Sequence, residues 1–253
     1  MKPQLRVHIS AVGFDVDRVV QPLIRMKADK VYLITKEEED LGKLFLEKVT
    51  SILTRHKIEY EIVYCDIFNL VQCIQKISEI IHKEKDNQVY VNLSTGTNII
   101  SIAGMLASMT WSARPYYVEP EKYINPGQPL SVGVKEIVEV PAVFTITKPK
   151  EEWLHILKFL SKQGPIKKKI LIKYLREKEL IRKPEKIKGS ERQSAYRHLD
   201  TMLVDIRDRW GLVAEEGQAR AKRIRITEKG EIILKMFEFL IIEKKIGRLM
   251  VND

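Results

Sequence analysis

Residues 1–148 alternate between short apolar runs and longer segments with helical periodicity, and this alternation constrains the fold most strongly. Five runs have the length and composition of β-strands: Leu5–Ile9, Val31–Thr35, Tyr60–Cys65, Val89–Leu93 and Tyr116–Val118. The second run is apolar at consecutive positions, as a strand covered on both faces requires. Apolar stripes at helical spacing fill the intervals, for example from Leu41 to Leu53. This order predicts an α/β fold with a Rossmann-like, doubly wound and mostly parallel sheet.

Two polar loops follow strands of the predicted sheet, where such folds bind ligands. The first is Ser10–Asp15, in which Gly13 permits a tight turn and Asp15 is placed to cap the next helix. The second is Asn92–Asn98, with three hydroxyl groups and a glycine directly before a helix that starts near Ile99. Free N–H groups and the helix dipole would offer a phosphate many donors there, with no opposing carboxylate. The alternative is an ordinary polar loop with a capping threonine.

The charge of the chain is divided unevenly between its two parts. Residues 149–253 contain 26 Lys and Arg against 16 Asp and Glu, whereas residues 1–148 contain 18 of each. The whole net charge of +10 therefore belongs to the C-terminal part. This asymmetry indicates a neutral module joined to one that faces a polyanion, although a heavily charged solvated surface is the alternative. Proline-rich punctuation at 125–129, 141 and 149 separates the two, with one or two further strands expected within Leu130–Phe144.

The C-terminal part has the order of elements of a winged helix. Two amphipathic helices after Glu151 are followed by a third, whose start is marked by a Ser190–Gln193 capping box. Next come a polar tip at 215–218 and a basic, alternating strand at Arg220–Ile226. The third helix and this basic wing present the side-chain types that contact phosphates and base edges. The predicted DNA-binding residues are Ser190, Arg192, Gln193, Tyr196, Arg197, Arg220, Lys222, Arg223 and Arg225.

The loop Asn92–Asn98 resembles a signature of the CARF domain, the CRISPR-associated Rossmann fold, in which an acidic or amide residue precedes a hydroxyl-x-Gly pattern. With the winged helix, the whole chain resembles the CARF–winged-helix transcriptional regulators found mainly in archaea. The resemblance implies a homodimer whose paired domains, residues 1–148, bind a cyclic oligoadenylate, while residues 149–253 bind double-stranded DNA. By position, the ligand-binding residues would be Ser10, Gly13, Phe14, Asp15, Asn92, Ser94, Thr95, Gly96, Thr97 and Asn98. Asn98 stands where a Lys or Arg often occurs in the family.

Enzymatic functions are the alternatives. The segment Arg192–His198 superficially fits the Arg-to-His motif of HEPN ribonucleases that accompany some CARF domains, but the winged-helix order around it argues against that assignment. Other CARF domains cleave their cyclic ligand without a metal, and Ser10, Ser94 and Thr95 could assist such a ring-nuclease reaction. P-loop, GxGxxG, HExxH and GxSxG motifs are absent from the sequence. We therefore predict a regulator without catalytic residues, with a ring nuclease or ligand-activated ribonuclease as the alternative.

Composition indicates a cytoplasmic protein without a cofactor or metal. No apolar run approaches the roughly 18 residues needed to span a membrane, and no signal peptide is recognisable. The five histidines form no cluster with metal-ligand spacing. The two cysteines, Cys65 and Cys73, have a spacing that fits no zinc or redox motif.

Overall fold

The structure is a computed structural model that describes residues 3–37, 41–124, 131–141, 145–181, 190–218 and 221–241; within these ranges the side chains of Leu41 and of residues 190–195 are not described. The backbone divides into two compact units, Met1–Lys148 and Pro149–Asp253.

The N-terminal unit alternates strands and helices around one mixed sheet. Its elements are β1 (Arg6–Ala11), α1 (Val16–Arg25), β2 (Lys30–Thr35), α2 (Leu41–Arg55), β3 (Glu59–Tyr64), α3 (Leu70–Lys83), β4 (Gln88–Asn92), α4 (Asn98–Trp111), β5 (Arg114–Glu119), β6 (Lys122–Tyr123), β7 (Ser131–Val132) and β8 (Glu136–Glu139). The six-stranded sheet has the order β3-β2-β1-β4-β5-β8. Its first five strands are parallel, and β8 runs antiparallel to β5. The predicted fold class, a Rossmann-like and mostly parallel sheet, is confirmed.

Helices cover both faces of this sheet because side chains alternate along each strand. Val31 and Leu33 of β2 belong to a buried cluster with apolar residues of α1 and α2. Tyr32, which lies between them, points to the opposite face and donates a hydrogen bond to Glu84, directly after α3. Strands β7 and β8 lie within Leu130–Phe144, the segment expected to hold one or two further strands. Strand β7 pairs with β6 in a separate two-stranded sheet.

The strand order reverses between β1 and β4. The chain moves from β1 outward through β2 to β3, and then crosses over to place β4 on the other side of β1. The loops after β1 and β4 therefore lead to helices on different sides of the sheet and open a crevice between them. Both polar loops singled out in the sequence lie at this point.

The C-terminal unit has the element order of a winged helix. It comprises α5 (Glu151–Gln163), α6 (Lys168–Glu177), α7 (Ser190–Leu203) continued by a π-helical segment (Val204–Arg209), β9 (Val213–Glu216), β10 (Arg223–Ile226) and α8 (Glu228–Phe237). Strands β9 and β10 pair antiparallel. Buried residues of α5, α6 and α7, with Ile224 of β10 and Leu234 of α8, form one core. Thr227 caps α8, because its hydroxyl accepts a hydrogen bond from the N–H of Gly230.

Gly230 offers a test of this packing. A Cβ atom at this position would overlap the carbonyl oxygen of Leu212. Helix propensity alone would make Gly230→Ala stabilising by about 1 kcal/mol, but we expect the overlap to lower the free energy of unfolding by about 1–3 kcal/mol. The exposed neighbour provides the control, since Lys229→Ala should change stability by less than about 0.5 kcal/mol. Urea unfolding of the full chain, followed by hydrogen exchange in peptides from 151–237, measures both; a stabilised Gly230→Ala would contradict the packing.

Candidate functional site

A cleft of about 1310 Å³ lies at the carboxyl ends of the central strands of the N-terminal unit. Its lining comprises Val12, Gly13, Phe14, Asp15, Arg18, Thr35, Lys36, Glu37, Gly42, Phe45, Ile67, Phe68, Ser94, Thr95, Gly96, Thr97 and Asn98. Eight of the ten residues expected to bind a ligand are in this set. The other two, Ser10 and Asn92, are buried beneath the loops.

The two loops touch through their glycines. A Cβ atom on Gly13 would lie 3.0 Å from the backbone nitrogen of Gly96. Gly96 itself has φ +84°, a left-handed backbone conformation that residues other than glycine rarely adopt. A Cβ atom on Gly96 would lie 2.7 Å from the Cβ of Ala11 and 2.9 Å from Cγ2 of Ile100. Glycine is therefore required at position 96 by both backbone conformation and space.

Buried polar side chains hold these loops from below. The Asn92 amide donates hydrogen bonds to the Ser10 hydroxyl, at 3.1 Å, and to the carbonyl of Arg18, at 2.9 Å. Its oxygen accepts the N–H of Ser94, at 2.9 Å. The Ser10 hydroxyl also lies 3.3 Å from that of Thr95. These contacts place Ser10 and Asn92 as supports of the loops, a role that strand position alone did not reveal.

The start of α4 presents unused backbone donors to the cleft. Thr97 is the N-cap: its hydroxyl accepts the N–H of Ile100 at 3.2 Å and donates to the carbonyl of Ile67 at 2.7 Å. Within the described residues, no acceptor is present for the N–H groups of Gly96 and Asn98. Together with the positive end of the α4 dipole, these groups suit an anionic oxygen.

The expected capping role of Asp15 is wrong. Asp15 precedes α1 but makes no capping hydrogen bond. Its carboxylate instead accepts the N–H of Ser131 at 2.7 Å and lies 3.4 Å from the guanidinium of Arg18, because the β7 segment reaches the start of α1. The Asn92–Asn98 loop itself contains no carboxylate, but Asp15 of the other loop and Glu37 line the same cleft, together with the cations Arg18 and Lys36. The arrangement brings charges of both signs to one wall.

Aromatic side chains form a second wall, of which the sequence analysis identified only Phe14. Phe14 is 53% exposed and its ring packs edge-on against Phe45, with centroids 5.2 Å apart. Phe68, after β3, is 67% exposed. Exposed aromatic faces of this kind are suited to stacking against planar bases. The rule that ligands bind at carboxyl ends would have found Lys36 and Phe68 had it been applied to the ends of β2 and β3 as well.

The predicted DNA-binding residues that the structure describes lie on α7 and at the wing. Arg197 is exposed on α7, whereas Tyr196 is half-buried and packs against the core beside Ile172 of α6. Ser190, Arg192 and Gln193 belong to α7, but their side chains lie outside the described part of the chain, and Arg220 lies outside it altogether. The exposed lysines at 169 and 173 lie beside Tyr196, along a shallow groove between α6 and α7.

The wing follows the predicted alternation. Ile224 is buried, whereas Arg223 and Arg225 are exposed. Arg225 lies 3.5 Å from the Glu216 carboxylate, and Arg223 has no ion pair within the described residues. Of the predicted wing cations that the structure describes, Arg223 is therefore the most open to a phosphate.

Glu215 connects the wing to the helices. Its nearly buried carboxylate pairs with Lys222 of the wing, with Arg207 of the π-helical segment at 3.0 Å, and with Lys168 of α6 at 3.4 Å. Burial alone would raise the pKa of Glu215, but the hydrogen bond from Lys222 and the charges of Lys168 and Arg207 outweigh it and lower that pKa. Lys222, which was predicted to contact DNA, is thus ion-paired with Glu215 of the neighbouring strand β9.

Metal-ligand clusters and membrane-length helices are both absent from the described residues. No group of three or more His, Cys, Asp and Glu side chains there is arranged to hold a metal ion. No helix in the same part of the chain is long and apolar enough to cross a bilayer. The segment Arg192–His198, considered as a ribonuclease motif, lies in α7 of the winged helix.

Comparison with protein families supports the two-part architecture. Residues 6–123 match the family described as HFX_2341_N:-like, N-terminal, and residues 152–238 match the DUF6293 C-terminal winged helix domain. The chain thus carries a Rossmann-like N-terminal domain followed by a winged helix domain, and the architecture expected from its resemblance to CARF–winged-helix proteins is confirmed.

The chain is also similar to individual proteins. The protein MJ1513 of Methanocaldococcus jannaschii is 33% identical over 190 residues, which cover 62% of this chain and 56% of that protein. Among solved structures, Can2 of Sulfobacillus thermosulfidooxidans, in complex with cyclic tetra-adenylate, is 14% identical with a TM-score of 0.42, covering 88% of this chain and 77% of that one. Csm6 of Enterococcus italicus, bound to cyclic hexa-2'-fluoro-hexa-dAMP, is 13% identical with a TM-score of 0.42, covering 83% of this chain and 57% of that one.

The ion-pair cluster at Glu215 generates a prediction with a matched control. Glu215→Gln should lower the free energy of unfolding of the winged helix by about 1–2 kcal/mol at pH 7, because three cations lose a shared partner that is largely shielded from solvent. Glu216→Gln, one residue along the same strand, removes only a solvent-exposed pair and should cost less than about 0.5 kcal/mol. Urea unfolding, followed by hydrogen exchange of peptides from 204–226, distinguishes the two.

The destabilisation caused by Glu215→Gln should depend on pH. Because the folded-state pKa of Glu215 is depressed, its contribution is present above the ordinary value of 4.5 and is lost as pH falls through the lower folded value. The stability difference between wild type and Glu215→Gln should therefore shrink as the pH is lowered below about 4.5. A difference that is independent of pH would show that the carboxylate charge is not responsible.

Proposed function

We propose that this protein is a ligand-responsive, DNA-binding transcriptional regulator of cytoplasmic, CRISPR-linked defence, which senses a cyclic oligoadenylate-type nucleotide as a homodimer. The observation that carries the proposal is the cleft formed where the Gly13 and Gly96 loops meet, in a chain whose other domain is a winged helix. The resemblance of Asn92–Asn98 to the CARF signature supplies the class of ligand.

The cleft has the two kinds of contact that a nucleotide requires. The N–H groups of Gly96 and Asn98 at the start of α4 suit a phosphate oxygen. The rings of Phe14 and Phe68 offer stacking surfaces for a base, and the charged groups of Lys36 and Asp15 can serve as donor and acceptor. A volume of about 1310 Å³ accommodates more than one nucleotide unit.

The composition of α4 supports a dimer. The helix contains no charged residue, and Ile102 on it is 50% exposed, with Met105, Leu106 and Met109 half-buried. An apolar helix of this kind is costly to leave in water and is typical of an interface between subunits. Because α4 begins at the ligand loop, a two-fold axis along it would bring two clefts together, as a cyclic ligand of matching symmetry requires.

The winged helix supports DNA binding through positive charge without local partners. Arg197 on α7 and Arg223 on the wing are exposed, and neither has an ion pair within the described residues. In winged helix and helix-turn-helix proteins, the helix equivalent to α7 enters the major groove. The ligand would act by favouring one arrangement of the two DNA-binding domains, a coupling typically worth about 1–3 kcal/mol.

DNA binding is tested through its salt dependence. We expect the double variant Arg197→Ala, Arg223→Ala to bind duplex DNA more weakly. The negative slope of log K against log salt should become shallower by about two, since each phosphate contact contributes about 0.9 to its magnitude. The control Lys229→Ala, Lys235→Ala removes the same charge from α8 and should leave both quantities nearly unchanged. Gel-shift titration at several salt concentrations measures them. Equal effects from the two double variants would show that α7 and the wing do not form the contact surface.

Ligand binding is tested by calorimetry with cyclic tri-, tetra- and hexa-adenylate. Wild type should bind at least one ring size. Gly96→Ala should weaken binding at least tenfold, because the added methyl group would overlap Ala11 and Ile100 and would strain the backbone at its positive φ. Gly42→Ala, at a cleft glycine with no atom within 4 Å of an added Cβ, should retain binding. Thermal unfolding verifies that both variants fold. Failure of wild type to bind any ring excludes this ligand class, and cleavage of a bound ring indicates the ring-nuclease alternative.

A further inference from the structure

Cys65 and Cys73, the two cysteines of the chain, lie side by side next to the cleft. Their Sγ atoms are 3.7 Å apart, and the side chains are 5% and 0% exposed. Cys65 directly follows β3, and Cys73 lies in the first turn of α3. The segment between them carries Ile67 and Phe68 of the cleft wall. The sequence spacing of the two cysteines matches no known redox motif, and it is the fold that brings their side chains together.

Both thiols take part in the hydrogen bonds that shape this segment. The Cys73 thiol donates to the carbonyl of Asp66 at 3.4 Å, and the Cys65 thiol lies 3.7 Å from the side-chain oxygen of Gln72. That oxygen also accepts the N–H of Asp66. The contact with Cys73 lowers the pKa of Cys65, whereas the same contact and burial raise the pKa of Cys73. Cys65 is therefore the better nucleophile of the two.

We propose that Cys65 and Cys73 form an intramolecular disulfide when the protein meets a peroxide, and that this bond changes the shape of the cleft. The Cys65 thiolate attacks a peroxide oxygen, the O–O bond breaks, and Cys65 becomes a sulfenic acid while hydroxide leaves. The Cys73 sulfur, after giving up its proton, attacks Sγ of Cys65 and displaces the second hydroxide. In total, two thiols and one hydrogen peroxide give one disulfide and two waters.

The consequence for the cleft follows from the contacts of the segment. A disulfide requires the two sulfurs to approach from 3.7 Å to about 2.05 Å and removes the S–H donor to Asp66. Adjacent to Asp66, the carbonyl of Ile67 accepts the hydroxyl of Thr97, which caps α4 beside Gly96. Movement of the 65–73 segment is thereby transmitted to the β4–α4 loop. The disulfide would regulate the cleft whatever ligand the cleft binds.

Mass spectrometry of the full chain provides the first test. Treatment with hydrogen peroxide under native conditions should lower the intact mass by two hydrogens and yield a cross-linked 65–73 peptide, and dithiothreitol should reverse both changes. Cys65→Ser and Cys73→Ser should show neither. Two free thiols after treatment, with no cross-linked peptide, would overturn the proposal.

Hydrogen exchange tests the coupling to the cleft. Oxidised wild type should exchange differently from reduced protein in peptides covering 65–73 and 94–101, while peptides from 151–163 in the other domain remain unchanged. Peroxide should leave the exchange of Cys73→Ser unaltered at 94–101. A disulfide that forms without any change at 94–101 would refute the effect on the cleft, whatever the protein proves to bind.

Discussion

The close approach of the Gly13 and Gly96 backbones is the constraint on which the N-terminal domain's cleft depends. It occurs where β1 and β4 lie side by side and the strand order reverses. A larger side chain at either position would push the two loops apart, and the N–H groups at the start of α4 would no longer face the same space as the β1–α1 loop. The crevice is thus set by the absence of two side chains.

Polar groups near this contact divide into supports and candidate ligand contacts. Ser10 and Asn92 are buried, and their side chains form hydrogen bonds with neighbouring backbone and side-chain groups. These bonds satisfy polar atoms that would be costly to bury without a partner. The groups left to a ligand are backbone N–H donors, exposed aromatic rings, and charges of both signs. Such a mixture supports the proposed nucleotide ligand over a simple inorganic anion, because a nucleotide has a planar base as well as a phosphate.

The winged helix balances two uses of positive charge. Lys168, Arg207 and Lys222 surround Glu215, where they join the wing to the helices. Arg197 and Arg223 have no such partner within the described residues and remain open to solvent. A high proportion of basic residues in residues 149–253 therefore does not translate directly into a DNA-binding surface, since part of that charge is neutralised inside the domain.

Local sequence determined the elements of both domains. Consecutive apolar residues in Val31–Thr35 and the alternation of Ile224 and Ile226 with arginines specify strands, because side-chain period follows directly from backbone geometry. The glycine and hydroxyl loops were recognisable for the same reason: turn and capping chemistry acts over a few residues. Only the tertiary structure decided which side chains meet. In the folded chain, the Asp15 carboxylate accepts the N–H of Ser131, Lys36 and Phe68 line the cleft, and Cys65 lies against Cys73. These contacts depend on strand order and on how helices pack across the sheet, which join residues far apart in the chain and leave no periodic trace in the sequence.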